Sequence, residues 1–211
     1  QHSPEQNLRI IANRYLNDYA AVEKAKQEET DRKATIARLQ GMITSFVEEQ
    51  STLSEMRTAI DSYLHQHNYW GTSGFWQMTL NQLANYHGVE GEAILRKALT
   101  GLNNETFGQH LDQLAQDLQG EKQRLSDHKN KLAAPGKSPF LLGAFATWLD
   151  PDGDVLVPWP SFRKGLKVLY DNKALPKTDG LTISWEVQIS NAVEYAAVQE
   201  AVAAIEMTAP D

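Results

Sequence analysis

IARLQGMITSFVEEQSTLSEMRTAIDSYL, residues 36–64, carries the pattern that decides the fold. Ile36, Leu39, Ile43 and Phe46, followed by Leu53, Ile60 and Leu64, recur at steps of three, four and seven. That spacing lines one side of an α-helix with apolar groups. The pattern extends backwards through Leu8, Ile11, Tyr15 and Val22, and both runs fit one seven-residue register. Leu8, Tyr15, Val22, Ile36, Ile43 and Leu64 share one seam position, and Ile11, Ala25, Leu39, Phe46, Leu53 and Ile60 share the other. The register is that of a coiled coil. Ordinary helix packing produces it too and is the simpler reading, because Asp18, Glu29, Arg32, Gln50 and Arg57 interrupt the seam. Lys24 to Thr35 is almost wholly polar without a Gly or Pro, so it reads as continuous helix rather than the tip of a hairpin. At the front, Ser3-Pro4-Glu5-Gln6 has the make-up of a capping box with proline at the first helical position.

Beyond this region the chain is punctuated more often. Residues 65–74, rich in turn formers and ending in Gly71-Thr72-Ser73-Gly74, read as a loop. Phe75, Leu80, Leu83 and Tyr86 predict a short helix ended by Gly88, and Glu90 to Leu99 another ended by Gly101. Phe107, Leu111, Leu114, Leu118, Leu125 and Leu132 predict a longer helix started by Asn104 or Thr106 and closed by Pro135-Gly136. Ser138-Pro139 opens a helix over Phe140 to Leu149, followed by the turn Asp150-Pro151-Asp152-Gly153-Asp154 and a short extended piece, Val155 to Val157. Ser161 is the expected cap of a helix to Tyr170, and residues 190–205 read as helix. Leu181 to Ile189 fits a strand by alternation and a helix by its Leu181, Trp185, Ile189 and Ala192 face. The expected fold is mainly α. A long coiled-coil-like helix or helical hairpin packs with a smaller helical C-terminal part and at most one short β pair. The expected regions are 1–66, 67–135 and 136–211.

Composition narrows the function classes. The 211 residues include no cysteine and carry a net charge of −7. Thiolate chemistry, disulfides and cysteine metal sites are excluded, and a reducing, cytoplasmic setting is expected. The longest apolar stretch, Phe140 to Leu149, falls well short of the roughly 20 residues of a membrane span. No signal peptide is visible, and Gln1 in place of Met fits a processed or trimmed piece.

Several motif fragments lack the parts their chemistry needs. Gly136-Lys137-Ser138 has Lys131 where a phosphate loop requires its first glycine. Asp150, Asp152 and Asp154 begin like a calcium loop, but Gly153 is fourth and Ser161 twelfth, where Gly sixth and Glu twelfth are required. His65 and His67 point to different faces of a helix, and His87 has no local carboxylate pattern of a zinc site. Gly71-Thr72-Ser73-Gly74 is not a nucleophile elbow. No catalytic residue, metal ligand or cofactor is therefore assigned, and the chain is expected not to be an enzyme.

One segment reverses the charge of its surroundings. Trp159, Phe162, Arg163, Lys164, Lys167 and Tyr170 lie close together, with Lys173 and Lys177 beyond. Basic groups interleaved with aromatic ones suit a nucleic-acid backbone and stacked bases. Arg163 and Lys167 share a helix face, and the plainer reading is a solvated basic face over an aromatic anchor.

Three stretches, in order, carry a resemblance. They are Trp70-Gly71 with Phe75, then Ser138-Pro139 leading to Trp148-Leu149-Asp150-Pro151, then Val157-Pro158-Trp159-Pro160-Ser161 with Arg163, Lys164 and Leu166. Together they resemble the helical region before the motor domain in McrB-like AAA+ proteins of prokaryotic restriction and defence systems, over roughly residues 69–205. The resemblance implies an accessory or target-recognition region attached to an NTP-driven motor that works with a nuclease partner. The motor's phosphate loop is absent here and no base-reading aromatic cage can be named, so no catalytic residue carries over. The expected partners are nucleic acid or a protein, such as an AAA+ motor or nuclease subunit. The N-terminal helix is a candidate surface for self-association, and no membrane is involved.

Overall fold

The computed structural model describes residues 2–67, 74–128, 130–156, 160–175 and 189–208. Among the described residues there are nine α-helices, two short 3-10 turns and no strand. The mainly helical expectation holds. Residues 181–188, left open between strand and helix, lie outside the described residues, as does Trp159.

Capping chemistry sets the first helices. In α1 (Pro4–Leu16) the Ser3 hydroxyl accepts from Gln6 N–H, and the Gln6 side chain accepts from Ser3 N–H. The chain bends at Asn17–Asp18, and Asp18 Oδ1 accepts from Ala21 N–H to start α2 (Tyr19–Val47). The polar stretch 24–35 is continuous helix within α2, as its lack of breakers predicts. The apolar run 36–64, however, is divided. Glu48 to Thr52 forms a turn, and a second reciprocal box, Thr52 with Glu55, begins α3 (Leu53–Leu64). The seam residues Ile36, Leu39, Ile43, Phe46, Leu53, Ile60 and Leu64 are all buried, in a core shared with later helices.

That core is assembled around α7 (Ser138–Trp148), which is buried on nearly every side and packs against α2, α4 (Phe75–Tyr86), α5 (Gly88–Leu99) and α6 (Phe107–Arg124). A helix apolar all round belongs in an interior. Trp148 meets the Trp76 ring of α4 edge-on at 5.0 Å. Two side chains of α5 close the α2–α3 corner. Arg96 donates to the Phe46 and Ser51 carbonyls at 2.9 and 3.2 Å, and Glu92 accepts from Leu53 N–H at 3.0 Å. Arg96 thereby satisfies a carbonyl at the C-terminus of α2, and Glu92 a first-turn N–H of α3. The Leu53 N–H is the main reason the Glu92 carboxyl lies below its ordinary range. The core runs from Ile36 to Val198 and draws on all three sequence regions.

Two expected boundaries move. The α6 helix stops at Arg124 instead of running through Leu132. A 3-10 turn over Ser126–His128 redirects the chain, which buries Leu132 and Ala133 beside α6 instead of extending it. The next helix after the acidic turn, α8 (Pro160–Asp171), begins at Pro160, one residue before the expected cap Ser161. The last helix, α9 (Ala192–Thr208), lies along α6.

Candidate nucleic-acid interface

The basic segment is helix α8, and its orientation follows from what it buries. Leu166 is buried and Phe162 packs against the core. Residues four apart share a face, so these two fix the inward side and turn Lys164 and Lys167 towards solvent. Lys167 Nζ stands 2.6 Å from Asp171 Oδ2, one turn on, in a pair with both side chains about half exposed. Arg163 sits between the two sides, half-buried, with its Nε shut off from solvent. Tyr170 and Val168 are exposed.

The end of α8 is closed without glycine. Ala174 N–H donates to Leu169 O at 2.8 Å and Lys173 N–H to Tyr170 O at 2.9 Å, while Lys173 takes a left-handed φ of 54°. This is the paired closure of a Schellman turn. The Lys173 carbonyl accepts from Asn7 Nδ2 at 3.1 Å, which ties α1 to the end of α8.

Of the five residues expected at this site, Arg163, Lys164 and Lys167 therefore share one helix, and Lys164 and Lys167 face outward. Phe162 is partly buried and packs against the core. Trp159 lies outside the described residues. Tyr170, the third aromatic residue of the segment, is exposed on α8.

The other motif fragments settle into local structure. Gly136 and Lys137 belong to a 3-10 turn leading into α7, and the Lys137 ammonium lies over the Phe75 ring. In the acidic turn, Asp150 accepts from Gly153 and Val155 N–H at 3.1 and 2.7 Å, so its carboxylate is used by its own loop. A cleft of about 390 Å³ beside it is lined by Asn104, Glu105, Leu149, Asp150 and Asp154. Close to it, the Tyr195 hydroxyl donates to Asn104 Oδ1 at 2.5 Å. Burial pushes the Tyr195 phenol up to about 12. Among the described residues no three His, Asp or Glu side chains converge to hold a metal ion.

The sequence reading missed a buried polar cluster. His87, between α4 and α5, has Nδ1 3.0 Å from Glu121 Oε2 of α6, and its Nε2 accepts from Ala133 N–H at 3.0 Å. The N–H aimed at Nε2 needs a lone pair there, so the ring proton sits on Nδ1 and is donated to Glu121. Arg124 grips the same carboxylate with two bonds of 2.7 and 2.9 Å. That guanidinium is the first cause holding the Glu121 carboxyl below its ordinary range, with His87 adding to it. Gly91 makes room for the ring, since a Cβ there would stand 2.5 Å from His87 Cβ. The cluster ties three segments of chain together. No sequence signal links His87 to a carboxylate 34 residues away.

In comparisons with known proteins, no family model, no curated protein and no solved structure matches the chain.

Proposed function

We propose that this chain is a non-catalytic recognition module of a prokaryotic nucleic-acid restriction or defence machine, acting in the cytoplasm, and that it meets nucleic-acid backbone with the outward side of α8. One observation carries the reading. By burying Leu166 and packing Phe162 inward, α8 presents Lys164 and Lys167 to solvent on a chain whose net charge is −7. The resemblance to the region before a McrB-like motor supports it, and places an AAA+ motor or nuclease subunit among the partners. The Lys167–Asp171 pair does not prevent phosphate binding, because an exposed ion pair is worth about 0–1 kcal/mol. Among the described residues no helix is long and apolar enough to cross a membrane.

The test is anisotropy of labelled duplex and single-stranded oligonucleotides, titrated with the chain from about 50 to 200 mM salt. Lys164→Glu with Lys167→Glu should weaken binding and flatten the slope of log K against log salt by about 1–2. Arg163 is left alone because its half-buried guanidinium would confound binding with folding. No binding of the unaltered chain at about 50 mM salt rules this reading out.

A second reading, assembly through the N-terminal helices, is favoured by a different observation. Ile10, Tyr15, Leu16 and Tyr19 are all exposed around the α1–α2 bend.

A further inference from the structure

Helix α4 leaves three apolar side chains half-exposed beside its buried face. Trp76, Thr79, Leu80 and Leu83 are its buried face. Flanking that face, Phe75 is 42%, Met78 41% and Tyr86 46% exposed. Their spacing, i, i+3 and i+11, keeps them within roughly 80° of one another around the helix. From Phe75 to Tyr86 the stripe runs about 16 Å, three helical turns.

A cation stands over each end. Lys137 Nζ lies 3.7 Å from the centre of the Phe75 ring and 5.4 Å from that of Phe140, which itself packs 5.0 Å from Phe75. Lys131 Nζ lies 5.8 Å from the centre of the Tyr86 ring. Among the described residues neither ammonium group is in an ion pair. Both cations rest over ring faces, on a chain with 27 acidic and 20 basic residues. Aromatic and methionine side chains with a charged rim are the make-up of a protein-binding patch.

We propose that the Phe75–Met78–Tyr86 stripe docks an amphipathic helix of a partner protein that carries acidic residues at both ends of its apolar face. The exposed apolar side chains stand at the two ends of α4, Phe75 and Met78 at one and Tyr86 at the other, with the half-buried Gln82 between them, and an amphipathic helix can set one apolar anchor on each end. Carboxylates at its ends meet Lys131 and Lys137 where those lysines already stand. The net charge of −7 makes the chain as a whole repel an acidic partner, so the two lysines help to fix its position. Nucleic acid fits this patch poorly. A base stacked on Phe75 has to displace the ammonium group that would draw its phosphate, and Met78 offers no ring face.

The experiment uses the whole chain and three labelled probes in anisotropy titrations. One is a helical peptide of about 15 residues with leucines on one face and Glu at both ends. The second has Lys in place of those Glu residues, and the third is an oligo-dT of the same length. The Glu-ended peptide should bind saturably with Kd below about 100 μM, and the Lys-ended one should not. Lys131→Glu with Lys137→Glu should weaken it at least tenfold. Lys131→Arg with Lys137→Arg should keep it, and so should Lys164→Glu with Lys167→Glu on α8. Circular dichroism checks that each variant is folded, and Lys131→Glu alone, an exposed change, should already weaken binding. Absence of saturable binding up to about 1 mM overturns the proposal. So does equal binding of the two peptides, indifference to the lysine reversals, or displacement of the peptide by oligo-dT.

Discussion

Glu49 and Lys173 hold left-handed backbone, with φ of 61° and 54°. At the end of α2, Gln50 N–H donates to Ser45 O and Glu49 N–H to Phe46 O, the same closure that Lys173 makes at the end of α8. A side chain in this conformation costs roughly 1–2 kcal/mol, which glycine avoids at some expense in unfolded-state entropy. Glu49→Gly should therefore raise stability by about 0.5–1 kcal/mol, seen as a higher urea midpoint with an unchanged slope. Lys173→Gly should do the same and leave the bond from Asn7 to its carbonyl in place. At His87 the sign is opposite. His87→Ala strands the Ala133 N–H and one side of Glu121, at a cost of about 2–3 kcal/mol. Glu121 adds a pH dependence. Its carboxyl is depressed in the folded state by Arg124 and then by His87. Its stabilisation is therefore complete above the pKa of an unfolded Glu and is lost as pH falls through the folded value. Thermal unfolding of the unaltered chain should fall more steeply from about pH 5 to 3 than that of Glu121→Gln.

At the scale of elements, the seating of α9 on α6 depends on Gly108. A Cβ there would stand 2.9 Å from Ala192 Cα and 3.0 Å from its Cβ. Gly108→Ala should push the start of α9 off α6, costing about 1–3 kcal/mol and raising hydrogen exchange in α9 before α7. How far such elements were legible depended on whether their ends carried a local signal. The Ser3 box, the Gly88 and Gly101 stops and the apolar run of α7 are written in adjacent residues, and each helix appears where they place it. The end of α2 was hidden because Glu49, not glycine, takes the left-handed position, though the Thr52-x-x-Glu55 box after it was readable. The leucine stripe past Arg124 misled for another reason. Leu132 is apolar because it is buried beside the turn, not because it continues a helix. For the candidate site, the basic run of α8 was legible as composition. That Phe162 faces the core, and that Lys137 and Lys131 stand over rings of α4, depends on contacts between distant parts of the chain.

At the scale of the whole molecule, charge and apolar surface are distributed unevenly, and this separates the proposed activities. The first half of α2 makes little use of the core and is held by its own pairs, Glu23–Lys26, Lys24–Glu28, and Glu29 with Arg32 and Lys33. Against it lies α1, which buries Leu8 and leaves Ile10, Tyr15, Leu16 and Tyr19 open to solvent around the bend. Tyr19 alone is 77% exposed. Four exposed apolar side chains around one bend are suited to an interaction site, and two copies of the bend could bury them against each other. Sedimentation at about 100 μM should then detect self-association. Leu16→Ser with Tyr19→Ser should return the chain to monomer without lowering its melting temperature, since neither side chain serves the core. Salt tells the two surfaces apart. Added salt screens repulsion between chains of net charge −7, so an apolar contact should strengthen from about 50 to 500 mM, while phosphate binding by α8 should weaken steeply. A chain that stays monomeric at both salt concentrations leaves the exposed bend without a self-association role.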